Sequence, residues 1–218
     1  MPAIKLSDAN ALEQYRIALE NAITTTAIAE ALSELGYDEA TINEGKALLE
    51  TARTAFDANK AEDDETTEAY QSFSSQKETI DIAYRLHRKK AKVVFRTDGV
   101  TAGTLAITGS LPQAYISWLE TVKKFYNTAN ASDDIKTKLI RLKITADDIT
   151  EALAAITALE TARAEYLREK GESQEATKTK DQAIAALSNW MSEFYAVARI
   201  ALEDKPQLLE ALGKVVRS

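Results

Sequence analysis

Residues able to do chemistry are few in this chain. It has no cysteine and a single histidine, His87. Thiolate catalysis, disulfides, zinc fingers and iron–sulfur ligation therefore lack their ligands. A carboxylate-bridged di-iron centre needs Glu-x-x-His on two helices, which one histidine cannot supply. Haem would find only His87 as an imidazole ligand and no cysteine for attachment. Neither phosphate-cradling glycine loop, G-x-x-x-x-G-K or G-x-G-x-x-G, occurs, and nothing resembles a kinase or hydrolase motif. A Ser-His-Asp triad would have to use His87. Yet Ile80, Tyr84, His87, Ala91 and Val94 share one helical face, so His87 reads as a packed or edge residue rather than a base. No catalytic, cofactor-binding or metal-ligating residue is assigned, no cofactor is expected, and the balance leans away from an enzyme.

The remaining charged groups have structural readings first. Asp63-Asp64, Asp133-Asp134 and Asp147-Asp148 stand at expected helix starts, where the backbone dipole favours negative charge. Glu50 with Arg53, and Glu160 with Arg163, have i, i+3 spacing and read as structural ion pairs. Tyr115, Trp118, Phe125 and Tyr126 have helical spacing and read as core. One feature stands apart. The segment 84–96 carries the densest positive charge, and Arg85, Arg88, Lys89, Lys92 and Arg96 gather on the side away from the His87 stripe. Cations near a helix C-terminus complement the dipole. They also form a candidate docking stripe for an anionic partner: an acidic protein surface, nucleic acid or membrane phosphate.

These side chains must be positioned by helices. Among 218 residues there are 7 Gly and 3 Pro, a hydrophobic fraction of 45% and 28% charged residues. Few breakers and many good helix formers predict an all-α chain, not a disordered one. Apolar steps of three and four at Ile149, Leu153, Ile156 and Leu159, and at Ile184, Leu187, Met191, Phe194, Ala198 and Leu202, predict amphipathic helices.

The chain also resembles itself. Leu12-Glu13 returns as Leu119-Glu120, and Ile28, Leu32 and Leu35 return as Ile135, Leu139 and Leu142, all at a shift of 107. Glu50-Thr-Ala-Arg53 returns as Glu160-Thr-Ala-Arg163 at a shift of 110, implying three extra residues in a preceding loop. Ala91-Lys-Val93 over Ala198-Arg-Ile200 restores 107. The expected architecture is two tandem antiparallel bundles of about four helices each: residues 1–97, a linker at 98–110, and residues 111–218 as the repeat. Helices are expected at 9–23, 26–35, 38–58 and 64–96, then 111–128, 132–142, 146–169 and 173–203, with a short one at 206–216. Gly36 should end a helix in the left-handed conformation, and Asp38, Ser132 and Thr145 should cap helices. Ser110-Leu-Pro112-Gln113 and Asp204-Lys-Pro206-Gln207 read as helix starts, and Gly171-Glu-Ser173 as a turn.

The net charge of −7 disfavours general nucleic-acid binding. No apolar run reaches membrane-span length, and positions 1–8 hold no signal-peptide core. A cytoplasmic protein is expected. The functional expectation is a non-catalytic structural or protein-interaction bundle with a protein partner or self-association. The alternatives are an anion-binding module using the basic stripe, and an enzyme or small-ligand carrier with a dispersed site between helices; no small-molecule ligand is specified by the sequence.

Overall fold

The structure is a computed structural model that describes residues 7–214. Among these residues the regular structure is helical, with no strand, and no helix is long and apolar enough to cross a membrane. Eight helices follow in order: α1 (Asp8–Thr24), α2 (Thr26–Glu34), α3 (Glu39–Val94), α4 (Gly99–Thr104), α5 (Tyr115–Ala131), α6 (Asp133–Ile140), α7 (Ala146–Ala201) and α8 (Leu208–Ala211). Residues 215–216 of the helix expected over 206–216 lie outside the described residues.

Local chemistry explains most boundaries. Ser7 accepts the Asn10 amide at the start of α1, and Ser132 accepts the Ile135 amide at the start of α6. Asp38 accepts the Thr41 amide at 3.0 Å before α3. At α7, the Asp148 amide donates to the Thr145 hydroxyl at 3.1 Å while the Asp148 carboxylate accepts the Thr145 amide at 2.7 Å, a reciprocal capping pair. Gly36 ends the α2 turn at φ +84°, as its type allows.

Two expectations about breaks are corrected. Residues 58–64 do not interrupt α3, and Gly171-Glu-Ser173 is no turn: α3 and α7 are each continuous for 56 residues. A glycine inside a helix costs about 1 kcal/mol relative to alanine, too little by itself to break one. Side-chain ties secure the same stretch, with Asn59 donating to the Thr177 hydroxyl at 3.1 Å and Ser173 to the Asp63 carboxylate at 2.7 Å. A third correction concerns residues 111–114, which precede α5 rather than opening it, leaving Leu111 packed against a core. The linker expected at 98–110 contains α4 and buries Leu105 and Ile107, though Val100 is exposed.

Contacts divide the chain into two compact units, Met1–Asp64 with Gly171–Ser218, and Glu65–Lys170, a grouping that does not follow the boundary drawn at 98–110. The first unit has its own core of Leu19, Ile28, Leu32, Ile42, Leu187 and Phe194, among others. The second packs Tyr84, Leu105, Phe125, Tyr126, Ile149 and Leu159. Each fully buried large side chain contributes on the order of 1.5–3 kcal/mol.

The bounds of α1, α2 and α3, shifted by 107 in sequence number, fall on those of α5, α6 and α7 to within a single position. Buried positions keep that interval: Leu12 and Leu119, Ile28 and Ile135, Ile42 and Ile149, Ala91 and Ala198, Leu105 and Leu212. Positive φ angles do too, at Gly36 and Lys143 and at Ala106 and Gly213. No three-residue insertion precedes the second Glu-Thr-Ala-Arg. At the common interval Arg53 corresponds to Glu160, so the verbatim tetrapeptide sits nearly one turn out of step.

Gly45 exemplifies how tightly the first unit is filled. A Cβ there would lie 2.5 Å from the Trp190 ring, inside contact distance. Gly45→Ala is expected to destabilise the chain by about 1–3 kcal/mol, read as a lower denaturant midpoint at unchanged slope. Trp190→Phe in the same chain should restore part of the loss; a midpoint unmoved by Gly45→Ala would contradict the close approach.

Candidate functional site

The basic stripe lies in the second unit, on the last turns of α3. Arg85, Arg88, Lys89 and Lys92 line one cavity of about 310 Å³ together with Leu111. Their spacing of three and four residues places them on one helical face. Arg96 is not part of the group: it lies in the turn beyond Val94, where the helical register no longer applies.

The four cations have different partners. Arg85 donates to the Asp81 carboxylate at 2.6 Å, and Asp81 also accepts the Trp118 indole N–H at 2.7 Å. Arg88 is half-buried and donates to the carbonyls of Thr108 at 3.3 Å and Gly109 at 2.9 Å, while Lys92 reaches the Gly109 carbonyl at 3.4 Å. Gly109 stands at φ +67°, which suits glycine and turns the chain beside the cleft. Among the described residues Arg88, Lys89 and Lys92 have no carboxylate partner. The Arg88 Nε and the Tyr84 hydroxyl are both buried without a hydrogen bond. Burial also pushes the Tyr84 phenol above its ordinary range.

A larger cavity in the first unit, about 540 Å³, lies over Leu12, Leu19 and Leu49 and includes Glu50 and Arg53. Its cations are neutralised at home: Arg16 pairs with Glu13 at 2.7 Å, Lys46 with Glu20 at 3.1 Å and Arg53 with Asp57 at 3.0 Å. The hydrogen bond from Arg16 holds the Glu13 carboxyl below its usual range. Size favours this cavity as a site, but uncompensated charge favours the smaller one.

The pairings expected inside each Glu-Thr-Ala-Arg are replaced by others. Arg53 takes Asp57 one turn on and stands 5.8 Å from the Phe56 ring centroid. Glu160 accepts from Lys123 at 2.9 Å, tying α7 to α5. Arg163 lies 4.1 Å over Tyr115 and 5.5 Å from Phe73, held by ring faces. Trp118, Phe125 and Tyr126 are buried and Tyr115 is half-buried, in line with their helical spacing.

His87 is half-buried, with Nδ1 3.0 Å from the Tyr126 hydroxyl, which donates to it in the Nε2–H tautomer. That partner was invisible to periodicity, because nothing in the sequence joins positions 87 and 126. Burial lowers the His87 pKa and outweighs the opposing pull of Asp148; Lys90 adds to the lowering. Burial likewise raises the Tyr126 phenol. Asp148 is held below the usual carboxylate range by Thr145.

Fold and geometry together define the class: an all-helical protein bearing a cation-lined cleft. No protein-family model, curated protein or solved structure matches the chain.

The depressed His87 pKa has a consequence for stability. Its contribution is present above the unfolded pKa of about 6.5 and is lost as pH falls through the folded value, because the unfolded chain binds the proton more readily. Between about pH 7.5 and pH 5.5 the denaturation midpoint should therefore drop, and His87→Phe should flatten that drop. Equal slopes in both proteins would contradict the assignment.

Proposed function

We propose that the chain is a non-catalytic interaction protein built from a duplicated helical unit, and that its basic cleft holds an acidic segment of a protein partner. The matching helix bounds, buried positions and left-handed residues at the common interval support the duplication. The single observation that supports the docking role is charge: among the described residues, three of four cations around one cavity have no carboxylate counter-ion, whereas each cation of the larger cavity has one.

The counterpart positions of Arg85, Arg88, Lys89 and Lys92 in the other copy are Ser192, Tyr195, Ala196 and Arg199. There Tyr195 donates to the Leu212 carbonyl at 3.1 Å, so an uncharged side chain reaches the equivalent connection. The frame thus tolerates loss of most of these charges, and their presence in one copy calls for a use. A net charge of −7 disfavours long polyanions, while a short acidic segment meets only the cleft. Exposed charge pairs give about 0.2–1 kcal/mol each. Only at the top of that range do four of them approach millimolar affinity, and the Leu111 wall adds apolar contact.

The test uses a fluorescent octa-glutamate peptide titrated against the full chain. Binding should weaken about tenfold or more when salt rises from roughly 50 to 200 mM, and should be lost on joint charge reversal of Arg85, Lys89 and Lys92. Arg88 is left in place because it supports the 108–109 connection. Unchanged affinity in the triple variant would end the proposal.

A further inference from the structure

The last turns of α3 are apolar on two faces. One face packs into the core of the second unit through Ile80, Tyr84 and Ala91. The opposite face is open: Ile82 is 63% exposed, Leu86 52% and Val93 58%. Ile82, Leu86, Lys89 and Val93 follow one another at steps of four, three and four, so they form one line along the helix. At the helical rise that line is about 16 Å long. A helix with one face in a core ordinarily turns polar residues outward. Exposed aliphatics scattered singly are common, but a line of them rimmed by charge marks an interaction surface.

The duplicated frame does not require this line. At the common interval Ile82 corresponds to Asn189 and Leu86 to Glu193, both exposed, and only Val93 keeps an aliphatic counterpart, Ile200. Charge on the open face has one sign, since residues 82–96 contain no carboxylate. Arg85, Lys89 and Lys92 flank the aliphatic line on the side of the basic cleft. The acid next to them in sequence, Asp81, already accepts from Arg85 and from the Trp118 indole. Glu78 stands one turn before Ile82, beyond the line.

We infer that the acidic segment held by the basic cleft is an amphipathic helix lying along this line, a proposal that rests on the reading of the cleft as an acidic-peptide site. Its aliphatic side chains cover Ile82, Leu86 and Val93, and its carboxylates lie on the flank that faces Arg85, Lys89 and Lys92. An extended peptide on the side of a helix would press its own N–H and C=O groups against aliphatic side chains, with nothing to pair them. A helix arrives with those bonds already made and repeats its apolar residues in the same steps of three and four. Charge separates this partner from two others. A second copy meeting the face symmetrically would set these cations against themselves, and a net charge of −7 opposes approach to an anionic membrane.

Two fluorescent peptides of about 18 residues, each made of the same Glu, Ala and Leu and blocked at both ends, are titrated against the full chain. In the first the leucines recur at steps of three and four; in the second they are shuffled so that no face is apolar. The ordered peptide should bind about tenfold or more tighter than the shuffled one. Ile82 and Leu86 are exposed and glutamine is a good helix former, so Ile82→Gln with Leu86→Gln keeps the fold. That double variant should erase the difference between the peptides and leave octa-glutamate binding unchanged. Equal affinity of the two peptides for the wild-type chain, or a difference that survives in the double variant, would overturn the inference and leave the cleft reading standing. Octa-glutamate that fails to bind overturns the cleft reading, and this inference with it. Dimerisation of the chain in sedimentation, or its capture by phosphatidylserine vesicles, if lost in the double variant, would assign the face to a second copy or to a membrane and overturn it as well.

Discussion

A helix as long as α3 or α7 is held in water less by its own hydrogen bonds than by the apolar residues it buries, and each buries them in two stretches, Ile42–Ala52 and Phe73–Ala91 of α3, Ile149–Ala162 and Leu187–Ala198 of α7. Every other element serves that burial. In the first unit, Ile42 and Ala52 of α3 and Leu187, Met191 and Phe194 of α7 share a core with α1 and α2. In the second, Phe73, Ile80, Tyr84 and Ala91 of α3 join Ile149, Ile156 and Leu159 of α7 with α5 and α6. Each long helix thus contributes residues to both cores. The basic cleft lies on the last turns of α3.

The two units place different side chains on matching helix bounds. Leu105 and Leu212 are both buried, and both follow a short helix whose connection is tied back to a long one. In one case the tie comes from Tyr195, in the other from the guanidinium of Arg88. The indole of Trp190 needs Gly45 beneath it, and at the corresponding places Ala83 and Ala152 stand together, neither the ring nor the bare glycine being present. Backbone frame and side-chain filling are separable here, because the frame is fixed by positions such as Ile28, Ile42 and Ala91 whose counterparts stay apolar and buried.

The sequence revealed those parts of the fold governed by local chemistry. Caps at Asp38, Ser132 and Thr145 and the left-handed Gly36 depend on side chains within three residues, and they stand where composition put them. The stripe of Arg85, Arg88, Lys89 and Lys92 was legible because helical periodicity alone gathers it. Continuity of α3 and α7 was not, since a lone glycine at 171 and a polar stretch at 58–64 resemble breaks, and the ties Asn59–Thr177 and Ser173–Asp63 that span them join residues far apart in sequence. The verbatim Glu-Thr-Ala-Arg misled for a related reason. Identity over four residues is a weaker guide to register than burial, and burial pairs Ala52 with Leu159. The grouping of His87, Tyr126 and Asp148 beside Ala83 escaped notice because these residues come together from α3, α5 and α7, which nothing local in the sequence joins.

Uninterrupted helix through both long segments is the claim on which the sharing of each long helix between both cores rests. Backbone NMR of the full chain, with 13Cα secondary shifts and amide exchange read residue by residue, tests it directly. The expected result is helical shifts and slowed exchange running without a gap over Glu39–Val94 and Ala146–Ala201, including positions 60–64 and 171–173. Coil shifts with fast exchange at either of those two stretches would contradict it and return the chain to four separate helices in place of two.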